Sequence, residues 1–305
     1  MSATRPVILD TDIGSDVDDC LALGVILGSP ELELAAVTCV YGDVGLRARM
    51  VRKLLRLRGT EGVAVFTGAR DTLLKRDAVW WAGHEGEGLL GPDDVGLEPD
   101  GGDAAGEIAR VVRERPGEVH LVAIGPLTNV ALALLRDPGL AGALGGLTVM
   151  GGCVRGPDRL ELPVAEHNIK CDPDAARVVF ESGVRVDLIP LDVTTRVAIR
   201  KQDVERLHSG GTAYHEAVAG QVERYPRFAR QGSTFLHDPL AVATLVAPGL
   251  VRSVEAHVTV ELDGEFTRGM TVVRKPTEDL PANARVALDV DVEAAEALVI
   301  ERLTR

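Results

Sequence analysis

Apolar runs that end abruptly in polar residues recur along this chain, and helical patterns separate them. The first run, Val7–Leu9, is continuous rather than alternating, which is typical of a parallel strand buried on both faces. It predicts a strand over Arg5–Asp12. Asp19 then precedes the apolar stretch Cys20–Leu27, and Gly28-Ser-Pro30 supplies the stop signal of a helix.

The same succession of strand and helix patterns continues along the chain. Further strands are predicted at Leu32–Val40, Val63–Phe66, Val119–Ile124, Leu147–Met150, Val186–Leu191 and Val286–Val290. Further helices are predicted at Arg47–Arg58, Val130–Arg136, Pro173–Ser182, Gln202–Arg230 with a break at Gly210-Gly211, a segment opened by Asp238-Pro239, and Val292–Arg302. A loop is expected over Val154–Ile169, and an antiparallel hairpin over Val254–Leu262 and Met270–Val273.

Strands that alternate with helices favour a parallel sheet covered by helices on both faces. We therefore expect an α/β fold with an open, mainly parallel, doubly wound sheet, flanking helices and a small antiparallel hairpin. The sequence has no internal repeat and no low-complexity linker, so residues 1–305 are predicted to form one domain.

The segment Gly68–Gly102 lacks regular periodicity and holds both tryptophans, Trp80 and Trp81, together with His84. Loops of this length are uncommon unless they are functional. We predict a functional flap in preference to an edge-covering loop, and His84 is either a substrate contact within it or a surface residue.

Composition narrows the classes of function. The chain is 46% hydrophobic but only 3% aromatic, which indicates an aliphatic core. Its 33 basic and 46 acidic residues give a net charge of −13, which argues against a nucleic-acid or anionic-membrane surface. No apolar run reaches the ~20 residues of a membrane span, and no signal peptide is evident, so a cytoplasmic location is expected. The four cysteines form no CxxC pair, which favours buried thiols over disulfides or a zinc site: Cys20, Cys39, Cys153 and Cys171.

The first strand runs into five aspartates within ten residues, and no Lys or Arg lies among them: Asp10, Asp12, Asp16, Asp18 and Asp19. Two unit charges ~4 Å apart interact by roughly 4 kcal/mol at an effective dielectric constant near 20. Such a turn therefore needs protonation or a bound cation, and oxygen ligands are those that Ca²⁺ and Mg²⁺ prefer. The alternative is a solvated acidic loop that caps the next helix.

Other polar residues follow the ends of later strands. In doubly wound sheets ligands bind outside the carboxyl ends of the strands, so these residues are expected to meet the acidic turn. They are Asp43, Ile124 with Asn129, Met150 with two glycines, and Asp192, joined by the loop clusters Glu166-His-Asn168 and His237-Asp238. We interpret Asp192 as structural.

Six short motifs now follow the acidic turn in a fixed order. They are Ala35-Ala-Val-Thr, Gly125-Pro-Leu-Thr-Asn129, Val149-Met150-Gly-Gly, Ala165-Glu-His-Asn168, Asp172-Pro-Asp-Ala and His237-Asp-Pro239. Together with Asp10-Thr-Asp12-Ile-Gly14 and Asp18-Asp19, they resemble the inosine–uridine-preferring nucleoside hydrolases over nearly the whole chain. The resemblance implies the fold of that family, a tightly held Ca²⁺, and hydrolysis of ribonucleosides to ribose and free base. It also implies a homodimer or homotetramer.

The resemblance assigns roles position by position. It implies that Asp12 is both a Ca²⁺ ligand and the general base for the attacking water. Further metal ligands would be Asp19, the carbonyl of Ile124, Asp238 and, directly or in support, Asp10. The ribose site would be formed by Asp18, Glu166, Asn168 and Met150, and His237 would be the candidate acid for the leaving base.

The chain departs from the family pattern at two places. Between Gly14 and Asp18 it has two extra residues, which introduce Asp16, a carboxylate that competes with Asp18 for the role of ligand or ribose contact. Asp43 stands where the family usually has a ribose-contacting Asn. Tyr225 and Phe228 either pack internally or stack on the base. The basic residues of Arg47–Arg58 are interpreted as a solvated helix face.

Rival functions fit the residues less well. A haloacid-dehalogenase-like phosphatase needs Thr or Val where this chain has Gly14-Ser15, and its later acidic pair is missing. An EF-hand fails because Leu21 falls at the twelfth position, where a Glu is needed. A non-catalytic nucleoside-binding protein would be expected to have lost Asp12. N-glycosidase activity on a modified or pyridine nucleoside stays open.

Overall fold

The computed structural model describes residues 4–155 and 165–305, and its central element is a nine-stranded sheet. The strands are β1 (Arg5–Thr11), β2 (Leu32–Cys39), β3 (Ala64–Thr67), β4 (His120–Ala123), β5 (Gly146–Met150), β6 (Val186–Ile189), β7 (Ala198–Arg200), β8 (Ser233–Phe235), β9 (Val251–Val260), β10 (Thr271–Arg274) and β11 (Ala284–Val290). The sheet order is β10-β9-β11-β6-β5-β4-β1-β2-β3, and β7 pairs with β8 separately. The strands from β11 to β3 run parallel, whereas β9 is antiparallel to both β11 and β10. This confirms the predicted α/β fold with its antiparallel hairpin.

Helices cover both faces of the sheet. They are α1 (Asp18–Leu27), α2 (Val44–Arg58), α3 (Ala104–Glu114), α4 (Thr128–Arg136), α5 (His167–Cys171), α6 (Pro173–Glu181), α7 (Leu191–Thr194), α8 (Lys201–His208), α9 (Ala213–Arg224), α10 (Pro226–Gln231), α11 (His237–Val246) and α12 (Val292–Leu303). One core includes α1, α2, α11 and α12, and a second core on the other face includes α3, α4 and α6. After Asp19, helix α1 is apolar on all sides. It can therefore pack between the sheet and the pair α11 and α12.

The strand order reverses between β1 and β4, which are neighbours in space although two strands separate them in sequence. A crevice forms at such a reversal, at the carboxyl ends of the strands. The acidic turn follows β1 and Ile124 follows β4, so the topology brings both to this crevice.

The structure differs from the sequence pattern at several elements. Helix α3 lies in a stretch for which the pattern predicts no element, and Asp103 caps it by accepting from the Gly106 amide at 3.1 Å. The long helix expected over Gln202–Arg230 is three helices, and the second break falls at Pro226, which begins α10. Residues 156–164 of the expected loop lie outside the described residues. Within the described chain, no helix has the length and apolarity to cross a membrane.

Candidate active site

A cavity of about 460 Å³ lies in the crevice beyond β1 and β4. The acidic turn, the first residues of α11, and Ala165 and Glu166 with the start of α5 all line it. Ten of the residues predicted from the sequence line this cavity: Asp12, Asp16, Asp18, Asp19, Ile124, Met150, Glu166, Asn168, His237 and Asp238. A larger cavity of about 700 Å³ lies at the amino-terminal end of the sheet, where Arg285 pairs with Asp187.

Three buried carboxylates meet in the cavity. Asp18, Asp19 and Asp238 each offer an oxygen within 4.8 Å of the others. Burial raises the pKa of all three carboxyl groups well above the ordinary range, and the charge of neighbouring aspartates raises them further. A divalent cation would offset this repulsion, and an all-oxygen donor set suits a hard cation such as Ca²⁺. The residues present therefore fit the metal that the sequence implies.

Local backbone structure supports this cluster. Asp18 and Asp19 lie in the first turn of α1, and Asp238 lies in the first turn of α11, so two helix N-termini face the carboxylates and stabilise their charge. The Thr11 hydroxyl donates to Asp19 Oδ1, and the Asp238 amide donates to Asp18 Oδ2 at 3.3 Å.

Asp12 lies directly against the turn that follows β4. A Cβ atom at Gly125 would lie 2.9 Å from both the Asp12 amide nitrogen and Oδ1. Glycine is therefore required at position 125 for the ends of β1 and β4 to approach this closely. The approach places Asp12, which is 5% exposed, beside Ile124 in the wall of the cavity.

Glu166 and Asn168 are fixed by the backbone around them. Glu166 Oε2 accepts from the amides of Gly152 and Ile169 at 3.0 and 3.1 Å, and Oε1 accepts from the Asn168 amide at 2.9 Å. Burial nevertheless raises the pKa of the Glu166 carboxyl. Asn168 Nδ2 donates to the carbonyls of Ile124 and Met150 at 2.9 and 3.1 Å. These contacts fix the Asn168 amide across the ends of β4 and β5.

His237 lies at another edge of the cavity. Its Nδ1 is 2.7 Å from Thr194 Oγ1, and its ring packs edge-on against Phe235 at 5.2 Å. Burial lowers the pKa of His237 to about 4, although the charge of Asp16 opposes that shift. The imidazole is therefore neutral at neutral pH. Tyr225 also lines the cavity and donates its hydroxyl to Asp16 Oδ2 at 2.6 Å.

The structure does not bring three predicted site residues into the cavity wall. Asp10 is buried beneath it: its Oδ1 accepts from Thr38 Oγ1 at 2.6 Å and from Asn129 Nδ2 at 2.8 Å. Burial raises the pKa of Asp10 to about 7. Asp10 therefore supports β1 rather than facing the cavity.

Asp43 and His84 also lie outside the lining of the cavity beyond β1 and β4. The Asp43 carboxylate caps α2 by accepting from the Leu46 amide at 3.0 Å, which also explains why that helix starts before the predicted Arg47. His84 Nε2 lies 3.2 Å from the Ser15 carbonyl and lines a neighbouring cavity that shares Asp16 and Tyr225. At Asp43 a ribose contact was predicted, but the structure shows that this carboxylate caps α2.

Three residues that the sequence did not single out line the cavity, one of them from the predicted flap. Trp80 packs edge-on against His167, with the ring centroids 5.3 Å apart, and both line the cavity with Lys170. Position 167 lies between Glu166 and Asn168, which was the available signal. Asp192 has the structural role expected of it, because it accepts from the amides of Val154 and Arg155, both at 2.7 Å. Phe228 packs internally, which was one of its two expected roles.

The solvated helix face expected for α2 is wrong at Arg47. This side chain is fully buried behind the acidic turn, whereas Arg56 on the same helix is half exposed. Helical periodicity alone does not show which arginine of a basic helix turns inward.

Comparison with known proteins agrees with this geometry. The family model described as inosine-uridine preferring nucleoside hydrolase matches residues 7–297. A pyrimidine-specific ribonucleoside hydrolase, RihA, of Citrobacter koseri is 36% identical over 309 residues, which cover 98% of this chain and 97% of that protein. A solved purine-preferring ribonucleoside hydrolase from Gardnerella vaginalis superposes with a TM-score of 0.88 at 29% identity, covering 98% of both chains. An inosine-guanosine nucleoside hydrolase superposes with a TM-score of 0.84 at 30% identity, again covering 98% of both chains.

Proposed function

We propose, since the chain belongs to the inosine-uridine preferring nucleoside hydrolase family, that it uses Ca²⁺ as cofactor and Asp12 as general base. As a member it is a hydrolase that acts on the N-glycosyl bonds of ribonucleosides. The observation that carries the finer proposal is the buried cluster Asp18, Asp19 and Asp238 in the same cavity as Asp12.

The chain offers four groups to hold the ion. They are the carboxylates of Asp12, Asp19 and Asp238 and the carbonyl of Ile124, with Asp18 close enough to join them. When bound, a divalent cation lowers the pKa of water and orients it. Asp10 would support this set from the end of β1, where Thr38 and Asn129 donate to its carboxylate.

Asp12 would accept the proton of the attacking water. Its carboxylate lines the cavity, and its backbone is fixed by the close approach of Gly125. A general base must reach the proton that it abstracts and must be ionised at the working pH.

Asp18, Glu166 and Asn168 would bind the ribose hydroxyls, with Met150 against the sugar. Because the contacts of the Asn168 amide nitrogen are made to backbone carbonyls, its oxygen is left for a ligand. Glycoside cleavage passes through an oxocarbenium-like transition state, whose positive charge these carboxylates stabilise. Asp43 lies outside this group, so we do not extend the ribose role to it.

His237 would assist the departure of the base. A hydroxyl proton donated by Thr194 to Nδ1 would leave the other ring nitrogen protonated, because a neutral imidazole carries one proton. His237 would then act as a neutral hydrogen-bond donor toward the leaving base. Trp80, His167 and Tyr225 would contact the base nearby.

The experiment that tests this function is a substrate panel. The relative RihA is named as pyrimidine-specific, so we expect the highest kcat/KM on uridine or cytidine. Purified protein with Ca²⁺ is incubated with purine, pyrimidine and nicotinamide ribonucleosides, and free base is measured by chromatography. Release from the nicotinamide nucleoside alone would favour the pyridine alternative, and release from none would contradict the proposal.

We also propose the domain organisation, the location and the assembly of the protein. They are a single domain over residues 1–305, a cytoplasmic location, and assembly as a homodimer or homotetramer. Light scattering on the purified protein would determine its assembly state.

A further inference from the structure

Arg47 is a buried cation in a part of the molecule that is rich in carboxylates. Its guanidinium donates from Nε to the Tyr41 carbonyl at 2.7 Å and from Nη1 to the carbonyls of Asp12 and Ile13, the latter at 2.8 Å. Nη2 donates to Ser15 Oγ at 3.2 Å. The side chain thus binds the backbone of the acidic turn at Asp12 and Ile13, and its relative exposure is 0%.

Arg47 donates hydrogen bonds to carbonyl and hydroxyl oxygens and not to the carboxylates of the acidic turn. Within the described part of the chain Arg47 forms no ion pair with a carboxylate, and its acceptors are backbone carbonyls and a hydroxyl. A buried Arg paired directly with Asp12 or Asp19 would occupy the oxygens that a metal needs. Because Arg47 bonds to carbonyls and a hydroxyl instead, it leaves those oxygens free.

Arg47 also connects the turn to residues 78–90 of the flap. Its guanidinium lies 4.9 Å from the centre of the Trp81 ring. Ser15, which accepts from Arg47, donates in turn to Glu85 Oε1 at 3.0 Å.

The exit of β2 is part of the same contact network. Tyr41 has a φ of 69°, a left-handed conformation that is uncommon for an aromatic residue. The Tyr41 carbonyl accepts from Arg47 Nε, and the Tyr41 hydroxyl accepts from the Trp80 amide at 2.8 Å. Both tryptophans of the flap therefore contact residues that hold the acidic turn in place: Trp80 contacts Tyr41, and Trp81 contacts Arg47.

We propose that Arg47 is a positioning residue that fixes the backbone of the acidic turn for Ca²⁺ binding and joins that turn to the flap through Trp81. The inference rests on the proposed function, since it assumes that Asp12 and Asp19 are metal ligands. It follows that metal binding and the packing of the flap are linked.

Calcium affinity is the direct test. Titration calorimetry on metal-free protein would compare the wild type with Arg47→Lys and Arg47→Met. Because the single ammonium of lysine cannot reproduce the forked contacts of the guanidinium, we expect the dissociation constant of Arg47→Lys to rise about 10-fold and that of Arg47→Met to rise further. The matched control is Arg56→Met on the same helix, which should bind Ca²⁺ as the wild type does.

The link to the flap has its own spectroscopic readout. The chain has only two tryptophans, so Trp80→Phe leaves Trp81 as the one reporter. Its emission should change on Ca²⁺ addition with the midpoint that calorimetry gives, and this response should be lost when Arg47→Met is added. Emission that does not respond to saturating Ca²⁺ would overturn the link.

The outcomes separate the two proposals. A wild type that does not bind Ca²⁺ contradicts the proposed cofactor. A wild type that binds, together with a folded Arg47→Met variant of unchanged affinity, overturns the role of Arg47 alone. If circular dichroism shows that Arg47→Met is unfolded, Arg47→Lys decides: an unchanged affinity overturns the role, and a weaker one supports it.

Discussion

Asp12, Asp18 and Asp19 share one turn, but each has different surroundings. Asp19 accepts from Thr11 and Asp18 from the Asp238 amide, whereas Asp12 lies against Gly125. Asp16 differs from all three, because it is bonded to Tyr225 and to the Val17 amide. Carboxylates close in sequence therefore have distinct partners, and we expect distinct effects on substitution.

Asp12 is expected to contribute to the chemical step as well as to metal binding. Asp12→Ala should lower kcat by at least ~10³-fold, because it removes the proposed general base. The measurement is steady-state hydrolysis at saturating Ca²⁺, with circular dichroism to confirm the fold. Turnover close to that of the wild type would refute its role as base.

The two candidate ribose contacts can be separated by parallel substitution. Asp18→Ala should raise KM and lower kcat strongly, since Asp18 lies in the buried cluster. Asp16→Ala should have a smaller effect, because its carboxylate already accepts from Tyr225 and Val17. Kinetics on one nucleoside compare the pair, and a larger loss for Asp16→Ala would reverse the assignment.

Ten residues of this cavity were predicted from the sequence. Repulsion among carboxylates at a strand end indicated the acidic turn, and the resemblance of the ordered motifs to a known family indicated the rest. These signals were not sufficient for Asp43, whose carboxylate caps α2, or for Arg47, whose direction depends on tertiary packing. Trp80 and His167 are close only in space, so no spacing in the sequence indicates their contact.

At the scale of elements, β1 and the N-termini of α1 and α11 position the site. Apolar patterns predicted β1 and α1, whereas Asp238-Pro239 predicted the start of α11. Among the elements that the pattern missed, α5 and α7 contribute residues to the cavity, namely His167, Asn168, Lys170 and Leu191. Helix α3 follows Gly101-Gly102 directly, so its start was hidden in an irregular segment. The helices that replace the long segment after β7 depend on Pro226 and on pairing between β7 and β8, which is not local.

The pairing of β4 with β5 includes a buried histidine that makes folding sensitive to acid. His120 Nε2 lies 2.9 Å from Thr148 Oγ1, and burial lowers its pKa from 6.5 to about 4, with the charge of Arg5 acting in the same direction. Between these values the unfolded chain binds a proton that the folded chain excludes, so the free energy of unfolding falls as the pH falls from 6.5 to 4. The loss from this group is roughly 3 kcal/mol at most.

His120→Gln should therefore flatten the pH dependence of the unfolding free energy over that range, whatever its effect at pH 7. Urea denaturation at several pH values measures it, and His257→Gln on β9 is the control. An identical slope for wild type and His120→Gln would show that His120 does not carry this sensitivity.

At the scale of the whole molecule, the reversal of strand order between β1 and β4 collects the site from distant parts of the chain. Alternating strand and helix patterns predicted a doubly wound sheet, and the rule for such sheets located the crevice. Which strands are neighbours is a long-range property, so the sequence pattern did not predict the order itself. The proposed metal site therefore depends on the complete fold, because residues 12, 19, 124 and 238 meet only when the sheet is formed.

Calcium-dependent catalysis is best tested by the rate of ribonucleoside hydrolysis as a function of free Ca²⁺ concentration. Metal-free protein is assayed over a series of calcium buffers, and the affinity is measured separately by calorimetry. We predict that the rate is negligible without metal and saturates with the calorimetric dissociation constant, because the ion must be bound among the aspartates for turnover. A rate that does not depend on free Ca²⁺ would show that the aspartate cluster does not act through this ion.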